Sequence, residues 1–216
     1  MEIKIVAGGP EAYIPDLKAI ARSDDNNVWI GVDRGSLHII QADIQLHGVF
    51  GDFDSVSEEE LKLVRNHSDN FFEFPPEKDA TDLELALEWA YNQNPTLITI
   101  YGATGGRVDH TMANIMMLAN SEYIQRGIPT RIVDKDNEVM LFEPGSYTVV
   151  ENEFKYISFI PITNEITDMT LENFKYPLSN NSLYRGRTLS VSNELNFKTG
   201  TFSFSNGILL MVRSRD

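Results

Sequence analysis

Through its first 128 residues the chain alternates short apolar runs with amphipathic stretches, a pattern that implies a mainly parallel sheet covered by helices. Ile3 to Ala7, Val28 to Val32, Val49 to Phe50 and Thr96 to Tyr101 read as buried strands. Between them, Glu58 to Asn66 repeats Leu61 and Val64 at helical spacing, and Leu83, Ala86, Leu87 and Ala90 do the same beside Trp89. The pattern changes after Gly127-Ile128-Pro129. Tyr147 to Val150, Tyr156 to Ile160, Met169 to Leu171, Thr188 to Val191, Thr201 to Phe204 and Ile208 to Val212 are short strand candidates, and Ser205-Asn206-Gly207 is a hairpin signal. The expected fold is α/β: an N-terminal mainly parallel sheet with helices on both faces over residues 1–140, followed by a C-terminal all-β sandwich over 141–216.

Composition narrows the function classes. With 32 acidic and 18 basic residues the formal charge is -14, so a nucleic-acid backbone or an anionic membrane surface is repelled and neither is an expected partner. An anionic substrate requires a metal; a small cationic one does not. There is no Cys, which excludes disulfides, thiolate ligands and a Cys nucleophile. The chain enters an apolar strand at Ile3 without a basic leader, and no segment approaches the ~20 apolar residues of a membrane span, so a cytoplasmic protein is expected.

Three motifs carry the chemistry, each where an apolar run gives way to a loop: Gly51-Asp52-Phe53-Asp54-Ser55, Lys78-Asp79-Ala80-Thr81-Asp82, and Gly102-Ala103-Thr104-Gly105-Gly106-Arg107-Val108-Asp109-His110. In an open α/β sheet, ligands bind outside the carboxyl ends of the strands, where such loops converge. Asp52 and Asp54, two apart on an extended segment, point the same way and invite a cation. Oxygen-only ligands favour Mg²⁺ or Mn²⁺ over zinc. Asp79 or Asp82 would complete the metal shell, and Lys78 supplies a point charge toward phosphate. Thr81 with Glu84 forms a capping-box pattern, so its first role is structural. Thr104, Gly105 and Gly106 would present backbone N–H groups to a phosphate, without the Lys-Ser/Thr ending of a Walker loop. Arg107 adds a fork for phosphate oxygens and Asp109 a carboxylate for metal or an attacking hydroxyl. His110, on a helix with Met112, Ile115 and Met116, reads equally well as acid–base group or structural histidine. An Asp-x-Asp after a strand also occurs in phosphatases of the haloacid dehalogenase type, but there it follows the first strand.

These motifs, in this order and spacing, and the all-β tail resemble the thiamine pyrophosphokinase family over nearly the whole chain. The resemblance implies transfer of a diphosphoryl group from ATP to the hydroxyethyl oxygen of thiamine, giving thiamine diphosphate and AMP. It implies an ATP- and Mg²⁺-binding first domain, a thiamine-binding second domain, and a homodimer with thiamine at the subunit interface. Carried onto this sequence, Asp52, Asp54, Asp79, Asp82 and Asp109 would form the magnesium and substrate-orienting cluster. Asp52, Asp54, Asp79 and Asp82 are its metal candidates, and Asp54, Asp82 and Asp109 are the candidates for the catalytic proton acceptor. Lys78, Thr104 and Arg107 would hold ATP phosphates, with Thr81, Gly105 and Gly106 beside them, and Ser192-Asn193 would meet the thiamine pyrimidine. Animal members carry a Trp in the final strand, where this chain has Leu209-Leu210-Met211.

Overall fold

β-Branched and aromatic residues fill the first strands, and their register explains why both faces need helices. The computed structural model describes residues 1–22, 27–53, 56–73 and 79–216 and divides into two compact units, Met1–Lys135 and Asp136–Asp216. In the first, strands β1 (Glu2–Val6), β2 (Asn27–Val32), β3 (Gly48–Gly51), β4 (Phe71–Glu73), β5 (Leu97–Tyr101) and β6 (Thr130–Val133) lie in the order β4-β3-β2-β1-β5-β6, all parallel. After β4 the chain returns past β1 to begin β5 on the other side, so the C-terminal edge between β1 and β5 is a topological switch point.

Helices α1 (Leu17–Arg22), α2 (Gly35–Gln41), α3 (Glu58–His67), α4 (Asp82–Asn92), α5 (Val108–Met117) and α6 (Ser121–Gln125), with a 3₁₀ turn at Glu11–Tyr13, make the connections. Val6, Trp29, Val49 and Tyr101 bury one sheet face against Leu17, Leu37, Ile39 and Val64 of the helices. Trp89 of α4 packs on Phe50 and Phe72, at 5.9 and 6.3 Å between centroids. Caps set the helix starts. Ser57 accepts from the Glu60 N–H while Glu60 bonds back to the Ser57 N–H, a complete capping box at α3. At α4, Thr81 accepts from the Glu84 N–H at 3.2 Å, the first half of the box expected there.

The second unit holds β7 (Asn137–Phe142), β8 (Gly145–Val150), β9 (Tyr156–Pro161), β10 (Glu165–Glu172), β11 (Leu178–Tyr184), β12 (Thr199–Phe204) and β13 (Leu209–Ser214). β7-β13-β9 pair antiparallel, and β11-β10-β12-β8 form a second antiparallel sheet. Phe159, Phe174, Phe202, Ile166 and Met169, all almost fully buried, fill the space between them. Phe202 stacks on Tyr147 and meets Phe142 edge-on at 5.0 Å.

The structure alters four local expectations. The units divide after Lys135 rather than after residue 140, because β7 pairs with β13 of the sandwich. Ser205-Asn206-Gly207 joins strands of different sheets, so it is a corner rather than a hairpin; a Cβ on Gly207 would lie 2.5 Å from the Glu165 carbonyl oxygen. Thr188 to Val191 is a turn, and the missing strand is β11, whose Ser-Asn-Asn-Ser run reads as a loop but forms an irregular edge. Phe71–Glu73 is a short edge strand that the apolar pattern did not mark. Truncating the sandwich core by Phe202→Ala should cost roughly 3–5 kcal/mol, whereas Leu189→Ala, at a residue 63% exposed, should cost under ~0.5 kcal/mol. Urea denaturation of both variants checks the contrast.

Candidate active site

Four of the parallel strands deliver loops to one end of the sheet, and there a cleft of about 670 Å³ opens. Its walls are Ala7 to Pro10 after β1, Asp33 and Arg34 after β2, Asp52 after β3, Asp79 to Leu83 at the start of α4, and Gly102 to Arg107 after β5, with His110 and Asn114 from α5. This is the switch-point edge, where no strand-to-strand connection fills the space between β1 and β5.

On one wall, carboxylate oxygens of Asp33, Asp52 and Asp82 lie within 4.8 Å of one another. At 4.8 Å, two like charges repel by roughly 3 kcal/mol at an effective dielectric of ~20, less where water screens them. A divalent cation would relieve that repulsion, and the oxygen-only donor set fits a hard ion such as Mg²⁺ or Mn²⁺. The local backbone is shaped for the purpose. Phe53, next to Asp52, has φ +57, a left-handed conformation costing of order 1–3 kcal/mol for a bulky residue. Its ring is 5% exposed and stacks on Phe71 at 4.8 Å, which holds the turn in place. Gly51 is required by close approach, since a Cβ there would sit 2.2 Å from Asp33 Oδ1.

Opposite this wall runs the turn after β5. Gly105 has φ +85, and a Cβ on it would collide with the Tyr13 ring at 2.6 Å. The Gly102 carbonyl accepts from the Gly9 N–H at 2.9 Å, and the Ala103 carbonyl accepts from Asn114 Nδ2 at 2.8 Å. Thr104 donates its hydroxyl to Asp134 Oδ2 at 2.6 Å. At the rim, Arg107 grips Asp109 with two parallel hydrogen bonds, and the His110 N–H adds a third at 3.0 Å. The Arg107 hydrogen bond, aided by that from His110, holds the Asp109 carboxyl down at about 2 although both side chains of the pair are exposed.

The structure thus brings Asp52, Asp79, Thr81, Asp82, Thr104, Gly105, Gly106 and Arg107 to one cleft. Asp54 and Lys78 lie outside the described residues. Four of the expected residues have surroundings that bear on their roles. Asp79 lines the cleft but is exposed and is not in the close triad, where Asp33 stands instead. Thr104 lines the cleft with its hydroxyl hydrogen bond donated to Asp134, so that hydroxyl is not free to donate to a phosphate, while the expectation for its backbone N–H is unaffected. Asp109 is not among the lining residues, and its pairing with Arg107 makes it a weak base. In the second unit, Asn193 is 2% exposed; its amide accepts from the Tyr176 and Glu194 N–H groups and donates to the Tyr176 carbonyl. It therefore shapes a loop, while Ser192, with φ +59, is the exposed member of that pair. Asp33 and Arg34 are the residues that sequence reasoning missed. The signal was present: Asp33-Arg34-Gly35 follows Val28 to Val32 just as Asp52 follows Val49 to Phe50.

An open parallel sheet with a carboxylate triad facing a glycine-rich turn at its switch point defines an α/β ligand-binding protein suited to a phosphate and a hard cation. The family model for the thiamin pyrophosphokinase catalytic domain matches residues 21–130, and that for the thiamin pyrophosphokinase vitamin B1 binding domain matches residues 146–209. The chain is 45% identical to the thiamine pyrophosphokinase of Bacillus subtilis (strain 168), over 99% of both chains. The crystal structure of thiamine pyrophosphokinase from Bacillus subtilis superposes with a TM-score of 0.92 at 43% identity, over 100% of both chains. That of thiamin pyrophosphokinase from Geobacillus thermodenitrificans gives 0.89 at 42% identity, over 100% of this chain and 98% of its own. The chain belongs to the thiamin pyrophosphokinase family.

The Asp109 carboxyl should titrate near 2 by carbon-detected NMR and return toward 3.8 in Arg107→Ala. Because the folded value is depressed, the pair's stabilising effect is fully present above about 4 and is lost as pH falls toward 2.

Proposed function

We propose that this chain transfers the diphosphoryl group of ATP to the hydroxyethyl oxygen of thiamine, releasing AMP. The observation that carries the reading is the meeting, in one switch-point cleft, of the Asp33, Asp52 and Asp82 carboxylates with the Gly102 to Arg107 turn. Asp33, Asp52 and Asp82 would hold Mg²⁺, with Asp54 and Asp79 as further candidates from the sequence. When bound, the ion supplies charge neutralisation for the polyphosphate.

The thiamine hydroxyl attacks the β-phosphorus in line. The new O–P bond forms as the bond from that phosphorus to the α–β bridging oxygen breaks, AMP carries the bridging oxygen away, and the hydroxyl proton passes to a carboxylate of the cleft. Asp82 lines the cleft and Asp109 does not, so Asp82 would take that proton on the carboxylate oxygen not given to the ion, with Asp54 the further candidate from the sequence. Backbone N–H groups of Gly105 and Gly106, with Arg107 and Arg34 at the walls, orient the phosphates, and Lys78 is assigned to the same task from the sequence. Most of the rate comes from positioning and charge stabilisation. Thiamine belongs to the second unit in this reading. A hollow of about 400 Å³ lined by Pro161, Tyr184, Arg187 and Leu189 lies in the stretch matched by the vitamin B1 model, close in sequence to Ser192.

The reading includes a homodimer with thiamine at the subunit interface, in the cytoplasm. Its support is apolar surface that a lone chain would leave in water: Val108, Met112 and Met116, at successive helical turns of α5, are 74%, 54% and 46% exposed. No described helix is long and apolar enough to cross a membrane. Light scattering should give twice the chain mass, and Val108→Asp with Met112→Asp should lower it toward one chain; a monomeric parent protein would remove the dimer from this reading.

The decisive test of the reaction is product analysis with ATP, thiamine and Mg²⁺. AMP and thiamine diphosphate should form in equal amounts, only in the complete mixture, and cease on chelation. Asp52→Asn and Asp82→Asn should each lower turnover by about 10²-fold or more. ADP with thiamine monophosphate would overturn the reading.

A further inference from the structure

The deepest carboxylate near the cleft belongs to neither the metal wall nor the rim. Asp134, at the end of β6, is 4% exposed and accepts a hydrogen bond from the hydroxyl of Thr104, itself 9% exposed, at 2.6 Å. Neither Asp134 nor any residue of β6 is among those lining the cleft, so Asp134 stands behind its wall. The next residue, Lys135, donates its N–H to the Tyr13 carbonyl at 2.9 Å, and the Tyr13 ring is what a Cβ on Gly105 would strike. The end of β6 therefore braces the turn from two sides: through Thr104 by a charge-assisted hydrogen bond, and through Tyr13 beneath Gly105.

We propose that Asp134 is a positioning residue for nucleotide binding, acting through Thr104 to fix the turn after β5. The following residues, Gly105 and Gly106, both adopt left-handed backbone, with φ +85 and +65, and glycine gives them no steric reason to stay there. Their conformation has to be imposed by the anchors on either side. Gly9 and Asn114 hold the carbonyls of Gly102 and Ala103, and Asp134 holds the next side chain, immediately before the two glycines. The bond also sets polarity. With its proton committed to a carboxylate, the Thr104 oxygen offers the cleft only lone pairs, so donors for an anion come from the backbone and not from this hydroxyl.

The inference rests on the nucleotide reading of the cleft, and binding of Mg-ATP to the unaltered protein, measured by calorimetry, tests that reading first. With binding established, Thr104→Val, Thr104→Ser, Asp134→Asn and the double variant Thr104→Val/Asp134→Asn separate the roles. Thr104→Val and Asp134→Asn should each raise KM and Kd for Mg-ATP roughly tenfold, with kcat changed by no more than about twofold, while Thr104→Ser stays close to the parent. The double variant should be no weaker than the weaker single one, because both substitutions act on the same bond: Thr104→Val deletes its donor and Asp134→Asn takes the charge from its acceptor. Multiplying effects in the double variant would overturn action through Thr104. A lower melting temperature with unchanged KM and Kd would show a bond that only supports the fold, and would overturn the proposal outright. Should Asp134→Asn fail to fold, the contrast between Thr104→Val and Thr104→Ser decides: equal KM values overturn it.

Discussion

The pairing of β1 between β2 and β5 is the constraint on which the site depends. Ile3 and Ile5 are fully buried, and the parallel registers on both sides of them align the strand ends so that the Ala7, Asp33 and Gly102 loops emerge at one level. Because the chain leaves β1 in one direction and returns to begin β5 on the other side, no crossover obstructs the gap between those loops. A cleft at that point is a consequence of topology. What the side chains add is charge.

Two opposite electrostatic problems share the cleft. On one wall, three carboxylates are held closer together than they would stay in water, by a left-handed Phe53 locked under Phe71 and by a glycine that leaves room for Asp33. Burial of an aromatic ring offsets the backbone cost, so packing stores an arrangement of charge that a cation can release. On the other wall, a turn rich in backbone N–H groups is kept open by glycines and anchored by Gly9, Asn114 and Asp134. At -14, the protein as a whole is unfavourable for a polyphosphate, which makes a cation at the acidic wall the natural companion of an anion at the other.

Much of this was legible in the chain. Alternating apolar runs marked β1, β2, β3 and β5, the cap expected at Thr81 begins a helix, and the three acidic or glycine-rich motifs converge as strand-end loops should. The misses have physical causes. β11 is a polar edge strand with an irregular register, stabilised on one side only, and such strands need no apolar alternation. Asp33 was overlooked because a single Asp after a strand looks like an ordinary turn until its neighbours are known. The partners of the Thr104 hydroxyl and the Asp109 carboxylate, Asp134 and Arg107, lie 30 positions and two positions away, and no local pattern marks either pairing.

Sequence alone determined the class of each half, because hydrophobic periodicity is a local property that the backbone must satisfy wherever it lies. It also determined which residue types reach the strand ends, and through them the family. Only the tertiary structure decided which carboxylates form the triad, which donor is already spent and which asparagine is walled in. Those are questions of distance between residues far apart in the chain: Asp33, Asp52 and Asp82 come from three different loops, and Thr104 meets Asp134 across 30 positions. No local pattern encodes such a distance, and electrostatic and hydrogen-bonding energies change over an ångström.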